Sequence, residues 1–307
     1  MKKQKRPTKT KANRAKLSAL DRLLTSKPFL ILMFVLGVMI FIYPLISNKY
    51  YEIKQEKQVQ EYEQMLNELP TAEGKRIIAQ AQEYNRKLAG LDADIFSSKH
   101  LKGITELVTN GEMPSFFSAG RLIGSVTIPK IRAKLPIRVG TTEQVLSYSA
   151  GFLVHTSLPV GGKSTHSVIT AHRGLPQARL FTDLDLLKNG DVFLIQVLDK
   201  PHAYQVDQIK VVKPDDTSAL QIVEGEDYTT LLTCTPYMIN THRLLVRGHR
   251  IPYTPELEDK IKQDETDGFW ALFMQKYREY IIGIAIFLML LLAITIKEKL
   301  KRKGAKG

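Results

Sequence analysis

The sequence predicts a mainly β protein, a closed or nearly closed β-barrel over residues 121–253. Helices and a connecting loop precede the barrel, and two transmembrane helices flank the whole. Three observations lead there. Two uncharged apolar runs, 28–47 and 280–296, bracket the chain. Between them the apolar spacing changes from helical to alternating near residue 121. The net charge of +13 sits almost wholly in the two ends: residues 1–27 carry ten Lys or Arg against one Asp, residues 297–307 six against one Glu, and 28–296 come to −1.

The tail 1–27 is basic and lacks apolar periodicity, which predicts a disordered cytoplasmic segment. "PFLILMFVLGVMIFIYPLIS" (28–47) is twenty residues long, enough at 1.5 Å per residue to cross a hydrocarbon layer of ~30 Å. A cleaved signal peptide is the alternative, but the run exceeds the usual h-region of about 7–15 residues and no small-residue cleavage site follows it. "YIIGIAIFLMLLLAITI" (280–296) has seventeen residues and is followed by Lys297, Lys299, Lys301 and Arg302. Those charges favour a second span over a buried core helix. Basic flanks stay preferentially in the cytoplasm, so both termini are expected inside and residues 48–279 outside. A basic chain invites nucleic-acid binding, but here the basic residues flank membrane spans. Membrane lipid is therefore an expected partner and nucleic acid is not.

Residues 48–90 predict an N-terminal helical region. Met65, Leu66 and Leu69, then Ile77, Ile78, Ala81 and Tyr84 fall at helical spacing, with a break near "LPTAEG" and Thr71 as the N-cap. Residues 91–120 are less regular and read as a connecting loop. From 121 onward seven segments rich in Val, Ile, Thr and aromatics, parted by Gly, Pro, Asn and Asp, predict at least seven short strands. That density of strands suggests barrel closure. The acidic, polar 254–279 reads as a linker.

The chain holds one cysteine, Cys234, in "LLTCTPYMINTHRLLVRGHR" (231–250). Outside the cell an unpaired cysteine is either a reactive thiol or a small buried hydrophobe. Alternation puts Leu232 and Cys234 on one face of their strand, which Pro236 ends. In the next strand Arg243, Leu245 and Arg247 share a face, and the short loop between makes the two strands neighbours, so Arg243 is placed to stand across from Cys234. Such a guanidinium would favour a thiolate or hold the oxygen that gains charge on an attacked carbonyl; a solvated surface arginine is the plain alternative. Acyl transfer also needs a group that protonates a leaving amine. Of seven histidines, His172 closes "SVITAHRG" and copies the strand-end placement of Cys234. No CxxC or HxxxH spacing supports zinc, and no cofactor or metal is expected.

"TLLTCTPYMINTHRLLVRGHR" resembles the signature of sortases, with Thr230-Leu231-Leu232-Thr233-Cys234 in the place of the Thr-Leu-x-Thr-Cys box, and "VITAHRGLP" resembles their histidine segment. The segments match in order within 121–253. With the second apolar run, the resemblance is greatest to class C, the pilus-assembling branch of Gram-positive bacteria. It implies a sortase-type barrel with Cys234 as nucleophile, His172 as acid/base and Arg243 as the group that stabilises the transition state or orients substrate. It also implies the reaction: a Leu-Pro-x-Thr-Gly sorting signal cut after Thr, a thioacyl enzyme, and transfer to a lysine of the next pilin subunit. The expected partners are thus pilins bearing the signal and the acceptor pilin lysine. Anchoring to a cell-wall precursor, plain hydrolysis, and a non-enzymatic two-span scaffold are the rival readings.

Two positions depart from the family pattern. Met238 stands where the resemblance expects Gly, which predicts a different turn between the Cys and Arg strands. Pilus sortases carry an Asp-Pro-aromatic lid, its Asp near the arginine and its aromatic over the cysteine. Asp94-Ile95-Phe96 matches with Ile95 for Pro, so a fixed φ is lost and the lid is expected to be looser, or to be an ordinary loop.

Overall fold

The computed structural model describes residues 26–91, 94–175, 178–198, 201–263, 274, 277–286 and 288–289. Those up to Ile53, with Ala178, form one unit and the rest a second. Helix α1 (Lys27–Glu68) contains Pro44. It is the one helix among the described residues long and apolar enough to cross a membrane, and Ile31, Phe34 and Met39 on it are exposed. Residues 277–286 and 288–289 are helical; the remainder of the expected second span and both basic tails, save Ser26 and Lys27, lie outside the described residues.

In the second unit, α2 (Thr71–Leu88) buries Ile77, Ala81, Tyr84 and Leu88, the i, i+4, i+7, i+11 stripe of an amphipathic helix. Thr71 opens this helix rather than capping it: the cap position is Pro70, at φ −56° and ψ 131°, and makes no side-chain cap bond. Proline's fixed φ starts the helix without one. Residues 98–109, read as loop, form α3 (Ser98–Thr109). The Ser97 side chain accepts from His100 N, and His100 and Ile104 are buried. Two buried positions in twelve are too sparse a pattern to announce a helix.

The barrel has eight strands: β1 (Leu122–Ile128), β2 (Ala133–Val139), β3 (Ala150–Phe152), β4 (Thr165–Thr170), β5 (Val192–Gln196), β6 (His202–Val212), β7 (Asp227–Thr235) and β8 (His242–Ile251). A short helix, α4 (Glu143–Leu146), lies between β2 and β3. The closed order is β1-β2-β3-β4-β7-β8-β6-β5. The pairs β2–β3 and β4–β7 are parallel and the others antiparallel. Closure satisfies every edge. β3, the strand the sequence did not announce, has three residues, all buried, and so no alternation.

The N-terminal helices are bonded to the barrel by buried polar side chains. Tyr62 OH donates to Ile123 O at 2.6 Å and accepts from Leu198 N at 2.9 Å. Asn85 brackets one residue, its Nδ2 donating to Leu158 O at 2.9 Å and its Oδ1 accepting from Leu158 N at 2.7 Å. The linker also begins as structure: residues 255–263 are helical, and Ile261 is buried with Val192 and Ala203.

Candidate active site

Parallel pairing makes two strands end at the same rim. β4 and β7 run in register to Thr170 and Leu232. The match continues past the ladder, as Ala171 N donates to Leu232 O at 3.2 Å and the Thr233 hydroxyl donates to Ala171 O at 2.8 Å. The next residue is His172. On the other side β8 pairs antiparallel with β7, and the register sets Arg243 opposite Cys234. The structure therefore brings the three sequence-derived candidates to one end of one three-stranded stretch, with the cysteine strand between the histidine segment and the arginine strand.

Each keeps access to solvent. Cys234 is a half-buried free thiol. The His172 side chain is 29% exposed, and its Nε2 lies 3.4 Å from Glu143 Oε2. Glu143 heads α4, where Thr142 accepts from Val145 N. Arg243 donates from Nη1 to Asn240 O at 3.2 Å and to His242 O at 3.1 Å, which ties the guanidinium to its own turn. A half-exposed thiol beside an imidazole and a guanidinium can attack a carbonyl, protonate the departing amine and hold the oxyanion.

The turn between β7 and β8 explains the departure at Met238. Its φ is 61° and that of Asn240 is 62°. Left-handed backbone is what glycine adopts without cost and a methionine adopts at about 1–2 kcal/mol. The position has the geometry glycine would supply, without the glycine. Gly174 does need its freedom: at φ +86° a Cβ there would meet the Tyr237 ring at 3.1 Å.

The segment 94–96 is fastened, though Pro is absent. Ile95 is 4% exposed and packs in a buried cluster with Val168, Leu220 and Leu245, against which Leu232 also lies. Asp94, expected beside the arginine, accepts from Thr217 Oγ1 and from Phe96 N, both at 3.1 Å. Phe96, expected over the cysteine, is about half exposed, its ring edge-on to His155 at 5.8 Å. The expected looseness is offset by apolar burial of the residue that replaces proline.

Two further side chains at the site escaped the sequence reading. Glu143 is one. Arg173 is the other, with Nε donating to Thr182 O at 3.1 Å, Nη1 to Thr235 Oγ1 at 3.0 Å and Nη2 to Asp185 Oδ2 at 2.6 Å. Its adjacency to His172 was the available signal.

Residues 126–251 match the sortase domain model. Sortase C1 of GBS pilus island 1 is 43% identical, with 66% of this chain covering 94% of that one at a TM-score of 0.56. Sortase C of Streptococcus pneumoniae is 46% identical, with 64% covering 98% at 0.55. Sortase A of Bacillus anthracis is 28% identical over 128 residues, 42% of this chain and 59% of that protein; the chain thus spans less than two thirds of that relative's length. Likeness over nearly the whole of the solved sortase C chains, at above two residues in five, places this chain in the sortase family of cysteine transpeptidases.

Proposed function

We propose that the protein polymerises pilins. The Cys234 thiolate attacks the Thr carbonyl of a Leu-Pro-x-Thr-Gly-type signal, and Arg243 holds the oxyanion. His172 protonates the amine as the Thr–Gly bond breaks, leaving a thioester on sulfur. A lysine amine of the next pilin gives up its proton to His172, attacks that thioester and releases the Cys234 thiolate, so an isopeptide bond joins the subunits and the starting protonation is restored. The observation that carries this reading is the cross-strand pairing of Cys234 with Arg243 beside the histidine segment. Likeness that covers 66% of this chain and 94% of a sortase C named for a pilus island supports the pilin as substrate.

The test incubates the full-length protein in detergent with a pilin bearing the signal. A ladder of covalent multimers is expected. Coupling to a glycine-type or diamino nucleophile with no ladder would indicate anchoring to cell-wall precursor instead.

The chain on this reading crosses the membrane twice, with both termini cytoplasmic and the barrel outside. The single thiol makes this testable: a membrane-impermeant thiol reagent labels Cys234 in intact cells, and labelling only after lysis would reverse the topology. The segment Asp94-Ile95-Phe96 acts as a cover on the apolar face beside the thiol. Leu232 and Leu245, against which Ile95 sits, are each two positions along their strands from Cys234 and Arg243.

A further inference from the structure

Arg173 follows His172 in sequence, and its side chain is only 8% exposed, rare for a guanidinium. Burial on that scale is sustained by full use of the fork. Its three nitrogens reach three separate places: the carbonyl of Thr182, the hydroxyl of Thr235 and the carboxylate of Asp185. Thr235 is the residue after Cys234 and the last of β7. Thr182 and Asp185 lie on the segment that returns past the histidine. There Phe181 N donates to His172 O at 3.1 Å, and Thr182 Oγ1 accepts from Gly174 N at 3.3 Å. One rigid planar group thus joins the residue after the histidine to the hydroxyl of the residue after the cysteine and to the segment that braces the histidine.

We propose that Arg173 is a positioning residue which sets the imidazole of His172 against the sulfur of Cys234. The proposal rests on the acyl-transfer reading above, in which a proton passes between imidazole and the reacting atoms. The β4–β7 ladder ends at Leu232, and Arg173 carries the register on beyond it, where the chemistry needs it. Its side chain is spent on these three internal acceptors. Its loss therefore disturbs alignment at the reacting atoms more than ground-state binding of peptide, and appears in kcat. Lysine is no substitute, because a point ammonium on a flexible stem cannot span acceptors on three segments.

The experiment uses the full-length protein in detergent with a Leu-Pro-x-Thr-Gly peptide, and compares Arg173→Lys, Arg173→Gln, Thr235→Val and the double variant Arg173→Gln/Thr235→Val. Thr235→Val keeps shape and deletes one acceptor, so it stays informative if the arginine variants fold poorly. Expected are a fall in kcat of about a hundredfold for both arginine variants and about tenfold for Thr235→Val, with KM within about twofold. The double variant should match Arg173→Gln within about twofold, since the hydroxyl acts through the arginine. A kcat within twofold of the parent in Thr235→Val, losses confined to KM, or two effects that simply multiply would each overturn the proposal. Alkylation of Cys234 by iodoacetamide needs no peptide. If the parent forms no thioester, the sorting reading fails, while Arg173 is still judged by alkylation: about fivefold slowing in Arg173→Gln and Thr235→Val supports its role, since thiol reactivity follows its charged neighbours, and equal rates reject it.

Discussion

Ile95 and Leu245 share one buried apolar cluster, at 4% and 3% exposure, on the face of β8 opposite to that of Leu244 and Val246. The strand paired with that of Cys234 is thus covered on both faces, by the barrel interior on one and by the 94–96 segment on the other.

Trimming that contact should open the segment. Ile95→Ala removes apolar burial worth about 2 kcal/mol from the closed form, which raises the open fraction about thirtyfold. Alkylation of Cys234 should then speed up several-fold or more while the melting temperature of the barrel changes little. Unchanged alkylation would mean the segment does not cover the thiol.

Arg243→Lys keeps a positive charge opposite Cys234 but loses the planar guanidinium that its Nη1 anchors to Asn240 O and His242 O. The oxyanion then faces a flexible ammonium, and kcat for peptide cleavage is expected to drop by about a hundredfold or more with a smaller change in KM. Cys234→Ala should yield no thioester adduct by mass spectrometry at any peptide concentration.

His166 supplies a pH dependence of stability unconnected with catalysis. Burial drives its pKa down to about 4; the bond to Gln221 O opposes the shift, and the positive charge of Arg247 adds to it. A carbonyl only accepts, so Nδ1 carries the proton and donates to Gln221 O at 2.8 Å, while Nε2 accepts from the Thr230 hydroxyl at 2.7 Å. The unfolded chain, with His near 6.5, binds the proton more readily, so the contribution is complete above pH 6.5 and is lost as pH falls toward 4. Urea melts should show about 2 kcal/mol less stability at pH 5 than at pH 7 from this residue. His166→Gln should remove that increment; an identical pH profile in the variant would assign it elsewhere.

Asn85→Ala should leave the Leu158 N–H and C=O without their bracket. The Leu158 C=O still accepts from Val160 N at 2.8 Å, so one buried donor is orphaned and a cost of about 1–3 kcal/mol follows, read as a lower urea midpoint. Peptide KM should stay the same, since Asn85 lies on α2, away from the rim.

The barrel and its three candidate side chains were legible because their signals are local. Alternation around Cys234 and Arg243, with a loop short enough to force pairing, predicts the cross-strand placement, and the run ending at His172 marks a strand end. β3 was invisible because three buried residues show no alternation, and α3 because its inward face is only two residues wide. Asp94 and Phe96 could be aligned by pattern, but their partners Thr217 and His155 come from distant segments that nothing near them in sequence identifies. Arg173 reads as one more basic residue until the fold turns it inward.

The parallel β4–β7 pairing has an evolutionary corollary. Because these two neighbours finish at a common rim, the ladder brings His172 and Cys234 to one end of the barrel, and the bonds of Arg173 that extend its register use only residues up to Asp185 of the joining chain. Residues 186–226 hold two further strands, β5 and β6, and outside the contacts of Thr217, Leu220 and Gln221 descendants are free to vary the turns while His172 and Cys234 stay at one rim. On the pilin-joining reading proposed above, selectivity for new protein cargo can therefore drift on one stretch of chain without renegotiating the chemistry on another.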